Sequence, residues 1–402
     1  MNLSNEQEIV FNNVMDWYSD WREMRKRFIT VGGYAGTGKS FLISHLKEEL
    51  PKGTNIAFAA PTGRAAASLK RKMIENKTFN KSEFCGTIHS LIYRPKLDPD
   101  TKLIIGWDLK EDLDYDLIII DEGSMVSEEL WNDLNVYGIP IIVVGDHGQL
   151  YPVSEKKFSL MIHPDLMLTQ IHRQAANNPI INMSMNIRKN GYIQSGIHAQ
   201  TLFKFDWSDN RCQSLFNSTK FDDDTICLCG RNNTRFDINN RIRKNLKFTQ
   251  EAPYPGEKLV CLSNNHKSGM MNGELFTLMW LTHFDKYLYE VALRKEGEED
   301  LYSAYIMKTC FGCDPKKMYE DLTHIRSHYT MTTRKNRKVK EQGISLFDFG
   351  YCVTVHKSQG SEWEKVILFE ERNRYQDDED WRRWLYTGVT RSKEKLFIID
   401  GY

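Results

Sequence analysis

The sequence predicts an α/β protein with two domains built on parallel sheets, and three observations predict it. The run "ITVGGYAGTGKSFLISHL" passes from a β-branched strand through a glycine-rich loop into an amphipathic helix. "YDLIIIDEGSM" carries four apolar residues, Leu117 to Ile120, as a central parallel strand buried on both faces does. A second set of apolar runs, at 225–229, 351–355, 365–369 and 395–399, recurs in the C-terminal half without a glycine-rich loop of its own. At 402 residues the chain is too long for one core, so two to four domains are expected.

The first run has the spacing Gly33-x-x-x-x-Gly38-Lys39-Ser40, a P-loop in its required strand–loop–helix setting. Gly33, Gly36, Thr37 and Gly38 form a cradle whose backbone N–H groups turn toward phosphate oxygens, and the helix start adds positive potential. Lys39 reaches the β- and γ-phosphates of ATP, and the Ser40 hydroxyl ligates Mg²⁺. Asp121 and Glu122 stand at the C-terminal end of their strand, where α/β sheets bind ligands. Asp121 is expected to hold the Mg²⁺ shell, and Glu122 to orient or deprotonate the attacking water. A third strand runs into "GDHGQLYPV", where Gln149 can meet a γ-phosphate or its water.

Composition sets limits. With 54 basic and 54 acidic residues the chain is neutral, unlike a protein that coats DNA, although a local groove can still grip a polyanion. No apolar run approaches the ~20 residues of a membrane helix. The N-terminus lacks signal- and transit-peptide character, and eight scattered Cys fit reduced thiols in a cytoplasm. Cys310-x-x-Cys313 has no second pair, which argues against zinc.

The ordered set GYAGTGKS, APTGRAA, DEGSM, GDHGQLYPV, HRQ, TVHKSQG and YTGVTRSKEKL resembles the motif series of superfamily 1B helicases of the RecD/Dda-like branch. The resemblance covers nearly the whole chain and implies two RecA-like domains facing each other across an ATP cleft. It implies that Gln7 reads adenine, and that Arg173 and Arg391 meet the charge on a transferring γ-phosphoryl. Pro61, Thr62 and Arg64, then Thr87 and His89, are implied contacts to single-stranded DNA. In "TVHKSQGSEW", Thr354, His356 and Lys357 are implied on the strand, with Gly360 and Glu362 toward the nucleotide. Gly123 stands where relatives often carry Ala, and is expected to loosen the turn after the strand.

The implied layout is a first RecA-like domain at 1–90 and 114–168, interrupted by a pin hairpin at 91–113 with its turn around 95–100. A second RecA-like domain covers 169–247 and 346–402, interrupted by an SH3-like β-barrel at 248–345. The basic run 334–340 is a solvated face or a phosphate contact, and "WRRW" at 381–384 reads as helix packing before a stacking platform. The expected function is a monomeric ATP-dependent translocase and helicase on single-stranded DNA, 5′ to 3′, splitting a duplex fork with its pin. It is expected in a phage or bacterial cytoplasm, with a single-strand-binding protein or replication and recombination proteins as partners. The alternatives are an RNA helicase and an ATP-gated clamp or remodelling factor that does not unwind.

Overall fold

The computed structural model describes residues 3–80, 82–97, 104–151, 158–172, 177–265, 267–268, 270, 272–296, 300–312, 315–329 and 334–402. The N-terminal half runs α1 (Asn5–Met24), β1 (Phe28–Gly33), α2 (Lys39–Glu49), β2 (Ile56–Ala60), α3 (Gly63–Glu75), β3 (Phe84–Thr87) and α4 (Ile88–Ile92). It continues with β4 (Tyr93–Leu97), β5 (Ile104–Leu109), β6 (Leu117–Ile120), α5 (Glu128–Asn135), β7 (Ile141–Gly145) and β8 (Leu166–Leu168). Next come α6 (Pro179–Asn190), β9 (Gly196–Ala199), β10 (Leu202–Asp206), α7 (Asn210–Ser218), β11 (Thr225–Cys229) and α8 (Asn232–Asn245). The strands β12 (Lys258–Cys261), β13 (Leu275–His283), β14 (Leu288–Lys295) and β15 (Leu301–Met307) precede α9 (Pro315–His328) and α10 (Arg334–Gln342). The chain ends with β16 (Ile344–Ser345), β17 (Phe347–Phe349), β18 (Cys352–Thr354), β19 (Trp363–Phe369), α11 (Asp378–Val389) and β20 (Ser392–Asp400).

The first sheet has the order β3-β2-β6-β7-β1-β8 and is parallel throughout. Its central strands β2, β6 and β7 are buried at every position, which is why they read as unbroken apolar runs. This order sets β6, β7 and β1 side by side, so Asp121, Asp146 and the P-loop share one edge. The second sheet, β18-β11-β19-β20-β10-β9, is parallel except for its outer pair. Helices between these strands start on side-chain caps: Thr62 for α3, Asp209 for α7, Asp377 for α11.

A third sheet, β16-β15-β14-β13-β12-β17, is antiparallel apart from β15–β16. It includes Phe347–Phe349, past residue 345 where the sequence reading closes the insertion, because β17 pairs with β12. Helices α9 and α10, the latter covering the basic run 334–340, pack on this sheet through Met318, Leu322, Ile325 and Val339. Buried ion pairs weld it to the second sheet's helix: Arg235 to Asp348 at 2.7 Å and Arg243 to Glu257 at 2.8 Å.

Strands β4 and β5 form a two-stranded antiparallel ladder. Pro95 pairs with Trp107 inside it, so the ladder reaches at least Leu97; the rest of the turn expected around 95–100 lies outside the described residues. At its base the Tyr137 hydroxyl lies within hydrogen-bonding distance of the Ile92 and Lys110 carbonyls. Gly123 does not loosen its turn: a Cβ there would lie 2.3 Å from Val143 Cγ1, so the close fit of this turn against β7 requires glycine.

Candidate functional site: a cleft between two sheets

Helix α2 begins at Gly38 in the left-handed region (φ +80) with no side-chain cap, leaving its first N–H groups open to a ligand. Lys39 Nζ donates to the Gly33 and Tyr34 carbonyls at 2.9 and 3.0 Å, which folds the ammonium back over the loop. Thr37 is fully buried and its hydroxyl donates to Tyr34 O. Gln7 donates to Thr37 O at 3.2 Å and accepts from Ser4 N in the α1 capping box. Both ends of that amide are engaged by the protein, so in this conformation Gln7 holds the loop. His172 bonds the same loop, through its backbone N–H to Gly36 O and its ring to Thr37 O.

Asp121 and Glu122 stand at the end of β6, facing this loop. Glu122 adopts φ +56, an unusual conformation for a side-chain-bearing residue and one often found at functional sites. Its Oε2 is enclosed without a hydrogen-bond partner among the described residues, and so is Oε1 of the buried Gln149. Burial, reinforced by Asp121, pushes the Glu122 carboxyl up to about 7, against the opposing pull of Arg391 and Lys39. The hydroxyl of Ser40 and the carboxylate of Asp121 are hard oxygen donors of the kind Mg²⁺ takes, one or two from protein and the rest from phosphate and water. Ser40 Oγ accepts at 3.4 Å from Lys72, a residue the sequence reading did not select. Burial would lower that ammonium, but Glu362, Asp121 and Glu122 outweigh it and raise it.

The second sheet delivers its groups from α11 and the loop after β18. Arg391 is buried and donates to Thr387 O and Ser361 O at 3.1 Å each, so its guanidinium is fixed by its own domain while its charge acts across the cleft on Glu122. Glu362 lies on the wall of a groove of ≈ 1060 Å³ between α3, the third sheet and the 360–364 loop. Burial would raise its carboxyl, yet Lys72, Arg391, Lys393 and Lys39 together leave it below its ordinary value. Gly360 (φ +73) sits against α3: a Cβ there would lie 2.8 Å from Ala65 Cβ. Arg173 lies outside the described residues.

The two halves are latched by contacts that the motifs alone did not announce. The Tyr386 hydroxyl donates to Asp146 Oδ2 and accepts from Ala35 N in the P-loop. Thr387 accepts from Leu150 N, Gln359 donates to Leu150 O, and Arg383 donates to Gln149 O. Arg188 lies 3.3 Å over the Tyr34 ring, and burial lowers its guanidinium to about 10. Trp381 and Trp384 stack at 5.3 Å inside α11, so "WRRW" is helix packing.

On the neighbouring face, Thr62, Thr87 and Thr354 each cap a helical turn, accepting from Ala65 N, Ser90 N and Lys357 N. Pro61 precedes the first of them, half-buried. His89 packs between Tyr93 and Trp107 at 4.4 Å from each ring, at the base of the ladder, and burial lowers its imidazole. His356 is lowered by burial, and Lys357 falls to about 8 through burial and the nearby Arg235. Arg64 differs from its expected place on the strand. Its guanidinium pairs with Glu296 at 2.8 Å, donates to Gly273 O and stacks 4.7 Å from the Trp363 ring. It therefore ties the first sheet to the third and is not offered to a phosphate.

Residues 15–202 match a family model described as an AAA domain, and residues 349–399 match one described as a UvrD-like helicase C-terminal domain. The chain is 25% identical to the ATP-dependent DNA helicase dda of Enterobacteria phage T4, over 99% of each chain. It is 25% identical to the ATP-dependent RecD2 DNA helicase of Deinococcus radiodurans, covering 92% of this chain but only 46% of that protein. A Bacteroides Pif1 helicase solved with ADP-AlF3 and single-stranded DNA superposes with a TM-score of 0.54 over 99% of this chain and 92% of its own. At 18% identity, that likeness is one of fold.

Proposed function

We propose that the chain is a superfamily 1B helicase of the RecD/Dda-like branch, an ATP-dependent DNA helicase that moves 5′ to 3′ along a single strand. The reading is supported by the AAA and UvrD-like helicase domain matches and by the likeness to DNA helicases over nearly the whole chain. The observation that carries the reading is the meeting of the P-loop and Asp121–Glu122 from one sheet with Arg391 and Tyr386 from the other.

The P-loop amides and Lys39 bind the phosphates, which requires the Lys39 ammonium to leave the Gly33 and Tyr34 carbonyls. Ser40 and Asp121 would hold Mg²⁺, which would supply charge neutralisation at the phosphates. Glu122 takes the proton of the attacking water; a carboxyl near 7 is matched to that task at neutral pH. Gln149 positions the water, and Arg391, with Arg173, stabilises the charge that builds as the phosphoryl transfers. Glu362 and Gly360 close the nucleotide side.

The strand lies along Pro61, Thr62, Thr87, Thr354, His356 and Lys357, where the Thr62 and Thr354 hydroxyls accept from their own helical turns and keep a proton to donate to phosphates. Opening and closing of the cleft alternates the two grips, and the β4–β5 ladder serves as the pin that parts the duplex. The domain layout we propose keeps the bounds read from sequence, except that the second, SH3-like insertion is carried to residue 349 because β17 pairs with β12.

The test is ATP hydrolysis and unwinding on forks with only a 5′ tail, only a 3′ tail, or RNA tails. Unwinding confined to the 5′ DNA tail is expected. Preference for a 3′ tail would overturn the polarity, and hydrolysis indifferent to DNA would overturn the motor.

A further inference from the structure

Strands β18, β11 and β19 end level with one another: Thr354 pairs with Cys229, and Leu228 with Leu368. Just beyond these ends is a cavity of ≈ 740 Å³ lined by Arg231, Arg372, Asn373, Arg374 and Gln376. A tight turn builds its outer wall, with Gln376 N donating to Asn373 O at 3.0 Å. Arg374 and Tyr375 occupy the apex of that turn. Tyr375 is 76% exposed, and the Arg374 guanidinium lies 4.8 Å from its ring centre. Glu371 beneath is taken up by Gly230 N, Arg231 N and the Thr234 hydroxyl, which fixes the base of the pocket.

Charge here is not simply balanced away. Asp378 pairs with Arg372, Glu379 with Arg383, and Asp377 caps α11. Arg231 and Arg374 have no carboxylate partner among the described residues, and Arg231 spends a single bond on Arg372 O. Helix α8 also starts here, at Asn232, without a side-chain cap. Glu371 already occupies that helix start. The pocket's own offer is therefore two guanidinium groups without a carboxylate partner among the described residues and an exposed ring at a loop apex, which match the needs of a flexible polyanion that carries flat bases.

We propose that this pocket is a further subsite for single-stranded nucleic acid, one strand over from Thr354, in which Arg231 and Arg374 hold phosphates and Tyr375 stacks a base. The proposal rests on the strand-binding reading above. It is tested by binding of oligodeoxythymidine of about 6 and about 16 nucleotides, lengths that bracket typical single-strand sites, across a salt series. Tyr375→Ala is expected to weaken the longer strand about tenfold at fixed salt, while Tyr375→Phe keeps wild-type affinity. Arg231→Ala with Arg374→Ala is expected to flatten the salt dependence for the longer strand by roughly 1.4, two phosphates at about 0.7 each. The short strand is expected to bind all variants equally. Unchanged affinity and slope on the longer strand would overturn the subsite while leaving the helicase reading intact. A wild-type chain that bound neither strand would overturn both.

Discussion

The Tyr386 hydroxyl donates to Asp146 Oδ2 at 2.7 Å while accepting from the Ala35 amide at 3.0 Å. One phenol thus joins the P-loop, the end of β7 and helix α11. Its O–H is buried and held well above the ordinary tyrosine range by burial and by Asp146, so it remains a donor at any pH the protein survives. Tyr386→Phe removes a hydrogen bond to a charged group, and strand-stimulated hydrolysis is expected to fall about tenfold. Steady-state ATPase assays with and without single-stranded DNA check this: an equal loss in both would place Tyr386 in chemistry and not in communication between the halves.

Lys39→Ala is expected to abolish hydrolysis and unwinding while single-strand affinity without nucleotide stays within twofold (roughly 0.4 kcal/mol). The ammonium bonds only the P-loop in this conformation, so its loss leaves the strand face untouched. Fluorescence anisotropy with a labelled strand, beside an ATPase assay, separates the two effects.

Glu122 gives hydrolysis an acid limb. Its carboxyl is raised to about 7, and only the ionised form accepts a proton, so the rate should fall as pH drops through that value. Glu122→Gln is expected to cost 10²–10⁴-fold in rate and to erase the limb. Stability moves the other way. A carboxyl raised in the folded state favours folding below its unfolded value, and that contribution is lost as pH rises through 7. Glu122→Gln should therefore be the more stable chain at pH 8, and urea titrations at pH 5 and 8 read the crossover.

Arg64→Ala is expected to destabilise the chain by about 1–3 kcal/mol, because it leaves the partly buried Glu296 carboxylate without its cation, held by the Trp363 indole N–H. It should leave the salt slope of strand binding unchanged. A slope flattened by roughly 0.7 would instead return Arg64 to the phosphates.

The P-loop and the Asp121–Glu122 pair were legible because each is local: a few consecutive residues dictate both the turn and the chemistry. The strand Leu117–Ile120 was legible for the same reason, as a run buried on both faces admits no polar interruption. Tyr386, Lys72 and Arg64 were not. Each acts on a partner remote in sequence, and although Tyr386 and Arg64 lie within quoted motifs, the neighbouring residues do not show which partner they meet. One signal was available for Tyr386: a phenol amid the apolar residues of α11 must find a partner when buried. The edge of the third sheet was misread by four residues because β17 and β18 are separated by only two residues, with no polar linker to mark the change of sheet. Gly123 was misread because the atom that forbids a methyl, Val143 Cγ1, belongs to a different strand.

Gly360 and Ala65 approach so closely that a single added methyl would overlap the opposing one. At this one point the backbone of the 360 loop lies directly against Ala65, with no side chain between them. In the motor proposed above, closing the lobes further here would meet a hard stop set by covalent geometry and indifferent to rotamer choice. A side chain at residue 360 would act as a shim, shortening the travel of the lobes without altering either of the surfaces that grip.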